Sequence, residues 1–166
     1  MAGLRPVFRK DGTVTAGNAS GINDGAAALV LATGEAAERE GWTHRARIVG
    51  YAHAGVRPEV MGIGPVPAVE RLMERTGLRA DDFDVIESNE AFASQALAVT
   101  RALGLDPDRV NPNGGAIALG HPVGATGAIL CVKALAELKR TGGRRALVTM
   151  CIGGGQGIAM ALEQAA

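Results

Sequence analysis

Three residue types that serve in acyl-transfer chemistry lie at strand ends or in glycine-rich segments of this sequence. His121 lies in LGHPVG, inside the glycine-rich stretch 111–127, and Cys151 stands just before a run of glycines that begins at Gly153. Asn89 lies in SNEAFA, where a predicted strand meets a predicted helix. Because glycine has no Cβ, backbone N–H groups in such loops can approach a ligand and hold an oxyanion.

The local sequence around His121 favours a side chain that projects from its loop. Pro122 fixes its own φ and disfavours the helical region for the residue before it. The helix predicted to follow presents its N-terminus, which favours neutral imidazole over imidazolium and therefore suits a general base. A histidine packed in a turn for structural reasons is the alternative interpretation.

Cys151 and Asn89 also have a chemical and a structural interpretation each. A thiol can act as a base where its neighbours favour the thiolate, but free cysteines are also common as small buried apolar residues. Asn89 follows a predicted strand, and ligands of open α/β sheets gather at the carboxyl ends of strands. An asparagine at that place can equally cap the helix that follows.

Four segments in fixed order resemble the thiolases, a family of coenzyme A-dependent acyltransferases. They are GNASGINDGAAA at 17–28, NEAFA at 89–93, NGGAIALGHPVGATG at 113–127 and CIGGGQG at 151–157. Unrelated glycine-rich loops would rarely fall into this order. Residues 123–129 look most like those of bacterial biosynthetic β-ketothiolases.

The resemblance implies catalytic roles for four residues. His121 would activate a nucleophilic thiol and then donate a hydrogen bond to the thioester oxygen. Asn89 would hold a water in the same oxyanion hole, and the N–H of Gly153 would help to hold an oxyanion. Cys151 would take the α-proton from acetyl-CoA in condensation and return a proton in thiolysis.

The same resemblance implies which residues contact the substrate. Ser20 and Ala19 would lie near the pantetheine amides of coenzyme A, with a helix cap as the alternative role of Ser20. Ala91 and Phe92 would line the acyl pocket. Coenzyme A and acetyl-CoA are expected as substrates, with no permanently bound cofactor and no metal.

Thiolases have two similar halves, and the acylated cysteine belongs to the first. The cysteines of this sequence are Cys131 and Cys151, and neither lies in a segment that matches the nucleophile motif. Residues 1–166 are therefore predicted to be a thiolase C-terminal domain that needs a nucleophile-bearing N-terminal half, or that self-associates. Thr126 stands where the family usually has serine, and it keeps the hydroxyl.

Composition argues against several other classes of protein. Lys plus Arg equals Asp plus Glu, at 17 each, so the basic stripe typical of nucleic-acid binding is missing. The sequence shows neither an apolar run long enough to span a membrane nor a signal-peptide pattern. Its cysteines do not suggest a disulfide framework, so a cytoplasmic location is predicted.

The predicted elements alternate between strand and helix, which indicates an α/β fold with some antiparallel pairing. The prediction, part of it from the resemblance, is a mixed five-stranded sheet with helices on both faces. Strands are predicted at 46–56, 84–88, 145–150 and 158–162. The apolar run 26–32 is ambiguous between strand and helix by its length and β-branching, and the resemblance implies a strand there. Helices are predicted at 34–40, 68–76, 91–103 and 124–140, with a loop at 57–67.

Two of these helices carry specific packing predictions. The helix 91–103 is apolar on nearly every side and is expected to lie buried between layers. The helix 124–140 is expected to pack through a stripe at 3.6-residue spacing: Ala128, Cys131, Val132, Leu135 and Leu138.

Two other functions remain compatible with the sequence. One is a noncatalytic thiolase-like module that binds acyl-CoA or a partner protein. The other is a stand-alone Cys–His–Asn acyltransferase or hydrolase that uses Cys151 itself as the nucleophile.

Overall fold

The computed structural model describes residues 3–165 and contains one mixed four-stranded sheet. The strand order is β1-β4-β3-β2, with antiparallel pairing of β1 with β4 and of β3 with β4, and parallel pairing of β2 with β3. The strands are β1 Ala46–Gly55, β2 Val85–Ser88, β3 Arg145–Ile152 and β4 Gln156–Gln164.

Five α-helices connect or flank these strands in the described part of the chain. They are α1 Gly34–Arg39, α2 Pro65–Thr76, α3 Ala93–Ala102, α4 Ala116–Leu119 and α5 Thr126–Thr141. Short 3-10 helices occupy Pro58–Ile63, Ala80–Asp82 and Pro107–Arg109. None of the helices within residues 3–165 has the length and apolar character needed to cross a lipid bilayer.

The core is divided by the sheet into two clusters. Side chains of successive strand residues point to opposite faces, so Ile86 lies in one cluster and Val85 in the other. Leu72 of α2 packs in the first cluster, and Leu130 and Leu138 of α5 pack in the second. Helices thus cover both faces of an α/β sheet, which confirms the predicted fold class.

The predicted count of five strands is wrong by one. Residues 26–32 form no strand, and Val30 and Leu31 leave 92% and 70% of their surface exposed. A strand needs a neighbour for its backbone hydrogen bonds, and among residues 3–165 no chain segment pairs with this one. The apolar composition of the segment alone could not supply that partner.

The predicted loop 57–67 is partly helical instead. It contains the 3-10 helix Pro58–Ile63, and α2 begins at Pro65 rather than at residue 68. Proline is well suited to the first turn of a helix, because its missing N–H is not needed there. The helix therefore begins at a proline that the sequence interpretation had placed in the loop.

Two packing predictions are corrected by the structure. Helix α3 buries only Gln95 and Val99, and Leu97 stays 53% exposed, so it is not enclosed between layers. Helix α5 buries a stripe that is rotated from the predicted one and shares only Leu138 with it: Thr126, Leu130, Ala134, Glu137 and Leu138. Polar Thr126 and Glu137 were passed over because their buried hydrogen bonds are not visible in an apolar pattern.

Candidate active site

The three predicted catalytic side chains lie at the ends of different elements. Asn89 follows β2, is 1% exposed, and donates its backbone N–H to the Thr149 carbonyl of β3 at 3.0 Å. His121 follows Gly120, whose φ of 103° lies in the region that favours glycine. Cys151 lies near the end of β3, two residues beyond Thr149.

The structure brings Asn89 and His121 into direct contact. Asn89 Nδ2 lies 3.3 Å from His121 Nε2, and His121 Nδ1 lies 2.7 Å from the Thr126 hydroxyl. Thr126 donates its single hydroxyl hydrogen to the Pro122 carbonyl at 2.9 Å. Both contacts of Thr126 are satisfied only if Nδ1 carries the hydrogen, which leaves the Nε2 lone pair to accept from Asn89.

Burial sets the charge state of this histidine. His121 is partly buried, and burial lowers its pKa below the usual value. At neutral pH the imidazole is therefore uncharged, with Nε2 as its acceptor nitrogen. A neutral imidazole of this tautomer, held from both sides, is suited to accept a proton from a thiol.

Cys151 is a buried thiol rather than a preformed thiolate. Its residue is 8% exposed, and burial raises the pKa of its thiol. Within residues 3–165 its sulfur makes no hydrogen bond to Asn89 or His121. The structure thus joins two of the catalytic candidates directly and places the third beyond them, on the neighbouring strand.

Gly153 lies in the turn between β3 and β4 and is followed by two glycines at close backbone approaches, Gly155 in the turn and Gly157 in β4. Gly153 itself is exposed and has open space around it. Gly155 has a φ of 92°, and a Cβ there would overlap the Val56 carbonyl. Gly157 lies against Gly64 so closely that a Cβ would overlap its backbone. These close approaches require glycine at both positions, whereas Gly153 lies exposed at the surface.

The four predicted substrate-contact residues form one group. Ala19 and Phe92 make an isolated antiparallel bridge. Ser20 donates to the Ala91 carbonyl twice, from its backbone N–H at 3.0 Å and from its hydroxyl at 3.2 Å. A segment far from NEAFA in sequence is therefore held against it by backbone pairing, which the sequence could not show.

Sequence reasoning missed three contacts of His121, with Thr126, Asn23 and Ile22. Thr126 was noted only for keeping a hydroxyl, yet it fixes the imidazole tautomer. Asn23 accepts the His121 backbone N–H at 3.1 Å, and Ile22 forms a parallel bridge with His121. A hydroxyl five residues after a histidine at a helix start was a usable signal for Thr126, whereas nothing local indicated Asn23.

An open cavity of about 460 Å³ lies beside His121. Residues of 23–27 and 122–128 line it, whereas Asn89, His121 and Cys151 do not.

Among the residues that the structure describes, no group of three or more His, Cys, Asp or Glu side chains could hold a metal ion. The chemistry that this arrangement can perform is proton transfer and hydrogen-bond donation.

Comparison with known families gives the context of this geometry. A family model described as "Thiolase, C-terminal domain" matches residues 42–164, and one described as "Thiolase, N-terminal domain" matches residues 1–35. The chain belongs to the thiolase family. This confirms the resemblance drawn from the four motifs. The match to the N-terminal domain includes residues 19–23, which contact NEAFA and His121. The assignment of residues 1–166 to a thiolase C-terminal domain stays a prediction.

Individual thiolases show the same relationship. The β-ketothiolase BktB of Cupriavidus necator is 66% identical over 165 residues, which cover 99% of this chain and 42% of the relative. A β-ketoadipyl-CoA thiolase of Pseudomonas aeruginosa is 62% identical over 166 residues, covering 99% of this chain and 41% of the relative. This thiolase chain therefore spans about two fifths of the length of these relatives.

Solved thiolase structures share the fold. The acetyl-CoA acetyltransferase of Bacillus anthracis matches with a TM-score of 0.96 and 52% identity, over 99% of this chain and 42% of that one. A human mitochondrial 3-ketoacyl-CoA thiolase in complex with CoA matches with a TM-score of 0.91 and 47% identity, over the same shares. The backbone of this chain is thus that of a thiolase along almost its whole length.

Proposed function

We propose that this chain supplies the proton-transfer and oxyanion-binding part of an acyltransferase that reversibly joins or cleaves short 3-oxoacyl-CoA. The observation that carries the proposal is the contact of Asn89 Nδ2 with His121 Nε2, with Thr126 on the other ring nitrogen. A neutral imidazole beside an amide donor is what thiol activation and thioester polarisation need.

His121 acts first in this proposal. Nε2 takes the proton of a nucleophilic cysteine that lies outside residues 1–166, and the thiolate attacks the thioester carbonyl. The carbon–sulfur bond to coenzyme A breaks, and the departing thiolate takes the proton back from Nε2. Hydrogen-bond donors around the carbonyl oxygen, among them the Asn89 side chain, stabilise the oxyanion that forms before the carbon–sulfur bond breaks.

Cys151 acts on the second substrate. In thiolysis, the thiol of Cys151 protonates the enolate of the departing acetyl-CoA, and its raised pKa keeps that proton available at neutral pH. In condensation, the thiol first releases its proton to solvent, and the thiolate that remains takes the α-proton of acetyl-CoA, which restores the thiol. Gly153, presented on the turn after β3, supplies a backbone N–H to the enolate oxygen.

Substrate binding falls to the group formed by Ala19, Ser20, Ala91 and Phe92. The Ser20 hydroxyl already donates its hydrogen to Ala91, so it meets a pantetheine amide as an acceptor of that amide's N–H. Ala91 and Phe92 border the acyl group. The relatives named as β-ketothiolase, β-ketoadipyl-CoA thiolase and acetyl-CoA acetyltransferase support 3-oxoacyl-CoA as the substrate class.

Complementation tests the proposal. The chain is mixed with the part of the Cupriavidus necator β-ketothiolase that it does not match, and acetyl-CoA released from acetoacetyl-CoA and CoA is measured. We expect release only with both pieces together, and none when His121→Ala replaces the chain. A mixture that associates but stays inactive would contradict the proposal.

A second experiment, on the chain alone, addresses the stand-alone alternative. If Cys151 were a nucleophile on its own, acetyl-CoA would acetylate it in the absence of any partner, which intact-mass measurement would detect. The raised pKa of the buried thiol argues against such a reaction, because the thiolate is the nucleophilic form. A cytoplasmic location and the partnership with an N-terminal half remain predictions.

A further inference from the structure

One buried asparagine outside the predicted site holds an unusual backbone conformation. Asn111 has a φ of 49°, and among residues 3–165 it is the one non-glycine residue with positive φ. It is 9% exposed and lies just after the 3-10 helix Pro107–Arg109. Asparagine tolerates the left-handed region better than most residues, but the conformation still needs a reason.

Asn111 takes this backbone conformation beside β2, the edge strand of the sheet. Val110 bridges Ile86, and the backbone N–H of Asn111 donates to the Ile86 carbonyl at 2.8 Å. Beyond that point the Asn111 side chain takes over the pairing. Its Oδ1 accepts from the Ser88 N–H at 2.9 Å, and its Nδ2 donates to the Ser88 carbonyl at 2.8 Å. The amide thus behaves as one more residue of a partner strand.

The same amide reaches the other side of Asn89. Asn111 Nδ2 lies 3.3 Å from Glu90 Oε1, and Glu90 Oε2 accepts the backbone N–H of Ile117 at 3.1 Å. Gly115 permits this approach, because a Cβ there would overlap the Glu90 carboxylate. Asn111 therefore contacts both chain neighbours of Asn89, and Glu90 connects them to α4, which ends beside Gly120 and His121.

We infer that Asn111 is a positioning residue, whose side chain holds residues 88–90 in the register that aims Asn89 Nδ2 at His121 Nε2. All three hydrogen-bonding groups of its amide are used in doing so. Its importance for catalysis rests on the proposed function, whereas its effect on the Asn89–His121 contact does not.

Two substitutions separate the side chain from the backbone conformation. Asn111→Gly keeps the left-handed conformation accessible but removes every side-chain contact. Asn111→Asp keeps an acceptor for the Ser88 N–H, loses both donors, and sets a carboxylate against Glu90. Asn113→Ala is the matched control on the same loop, since Asn113 points its Nδ2 to Glu137 Oε2 on α5 instead.

The test is nitrogen NMR of the chain with labelled histidine. The sequence has three histidines, and exposed His44 and His53 serve as internal references. Wild type and Asn113→Ala should show His121 as the Nδ1–H tautomer, with a pKa lowered by burial below the usual histidine value. In Asn111→Gly and Asn111→Asp, the His121 pKa should rise because Nε2 loses its donor, whereas the Nδ1–H tautomer set by Thr126 should be retained.

An unchanged His121 pKa in a folded Asn111 variant would overturn the inference. If Asn111→Gly does not fold, Asn111→Asp decides alone by the same criterion. In the reconstituted enzyme, kcat should fall by about 10- to 100-fold with little change in KM, as expected when a reacting group is misplaced. Loss of activity with an unaltered His121 spectrum would support the proposed function and reject this role of Asn111.

Discussion

Nδ2 of Asn89 lies 3.3 Å from Nε2 of His121, although the two residues are 32 positions apart in the chain. One follows a buried strand and the other follows a short helix, and Thr126 holds the ring from the opposite side. This contact leaves Asn89 as the donor and His121 as the acceptor.

Replacing His121 and Cys151 should affect different half-reactions of the reconstituted enzyme. His121→Ala should slow acylation of the partner's cysteine by about 10²- to 10⁴-fold, the usual contribution of a general base. Cys151→Ala should reduce condensation by a similar factor and leave acylation intact. Rapid-quench labelling with radioactive acetyl-CoA measures acylation separately from turnover.

The Cys131→Ala variant is the control for this comparison. Cys131→Ala removes the other thiol, which packs against the core cluster that contains Val85 and Leu138, and should leave both half-reactions unchanged. Equal loss of labelling in the His121 and Cys151 variants would show that the roles are not divided in this way.

The Thr126 hydroxyl should matter through the tautomer of His121. Thr126→Val removes the acceptor of the Nδ1 hydrogen, so acylation should slow by about 10-fold, part of the contribution of the base. Thr126→Ser keeps the hydroxyl and should retain most of the activity. The acylation rate of each variant is measured as a function of pH. Equal rates for the valine and serine variants would contradict this role of the hydroxyl.

The thiol of Cys151 should titrate above its usual range, because burial raises its pKa. Iodoacetamide modification of Cys151 in the Cys131→Ser variant, followed by intact mass against pH, measures this directly. The rate should still be rising at pH values where an exposed thiol has reached its plateau. Rapid modification near neutral pH would mean that a thiolate is already present.

The buried carboxylate of Glu137 should link stability to pH. Hydrogen bonds from Arg140 and Asn113 lower its pKa from 4.5 to about 2. A folded pKa below the unfolded one means that the stabilisation is present above pH 4.5 and is lost as pH falls toward 2. Arg140→Gln should therefore lower the free energy of unfolding near neutral pH, with a difference that shrinks in acid.

Urea unfolding at several pH values measures that difference. Lys139→Gln, an equal charge change at an exposed position of the same helix, is the control and should have a small effect with little pH dependence. A difference between Arg140→Gln and wild type that stays constant from neutral pH into acid would exclude the linkage to Glu137.

The isolated chain should associate through its exposed apolar surface. Val30, Leu31, Val123 and Val132 are all exposed, and soluble proteins seldom leave a large apolar patch bare. We expect light scattering to show a mass that rises with concentration, and Val30→Glu with Leu31→Lys to reduce it. A monomer over a wide concentration range would contradict the expectation.

The sequence alone was sufficient for the family, the α/β class and the main catalytic candidates. Glycine-rich motifs can be recognised in a sequence because glycine permits close backbone approach and positive φ at single positions. The order of strands and helices can largely be predicted too, because periodicity and helix ends are local properties of the sequence. His121, Cys151 and Asn89 could be proposed on those grounds, and their roles remain predictions.

Only the tertiary structure decided which groups meet. The pairing of Asn89 with His121, the tautomer set by Thr126, and the amide of Asn111 completing the edge of β2 all join residues from different elements. The segment 26–32 shows the converse: its apolar run fitted a strand or a helix, the resemblance implied a strand, and within residues 3–165 no strand pairs with it. Hydrogen bonds between distant elements depend on how the chain is packed, and a sequence pattern records only what each element needs locally.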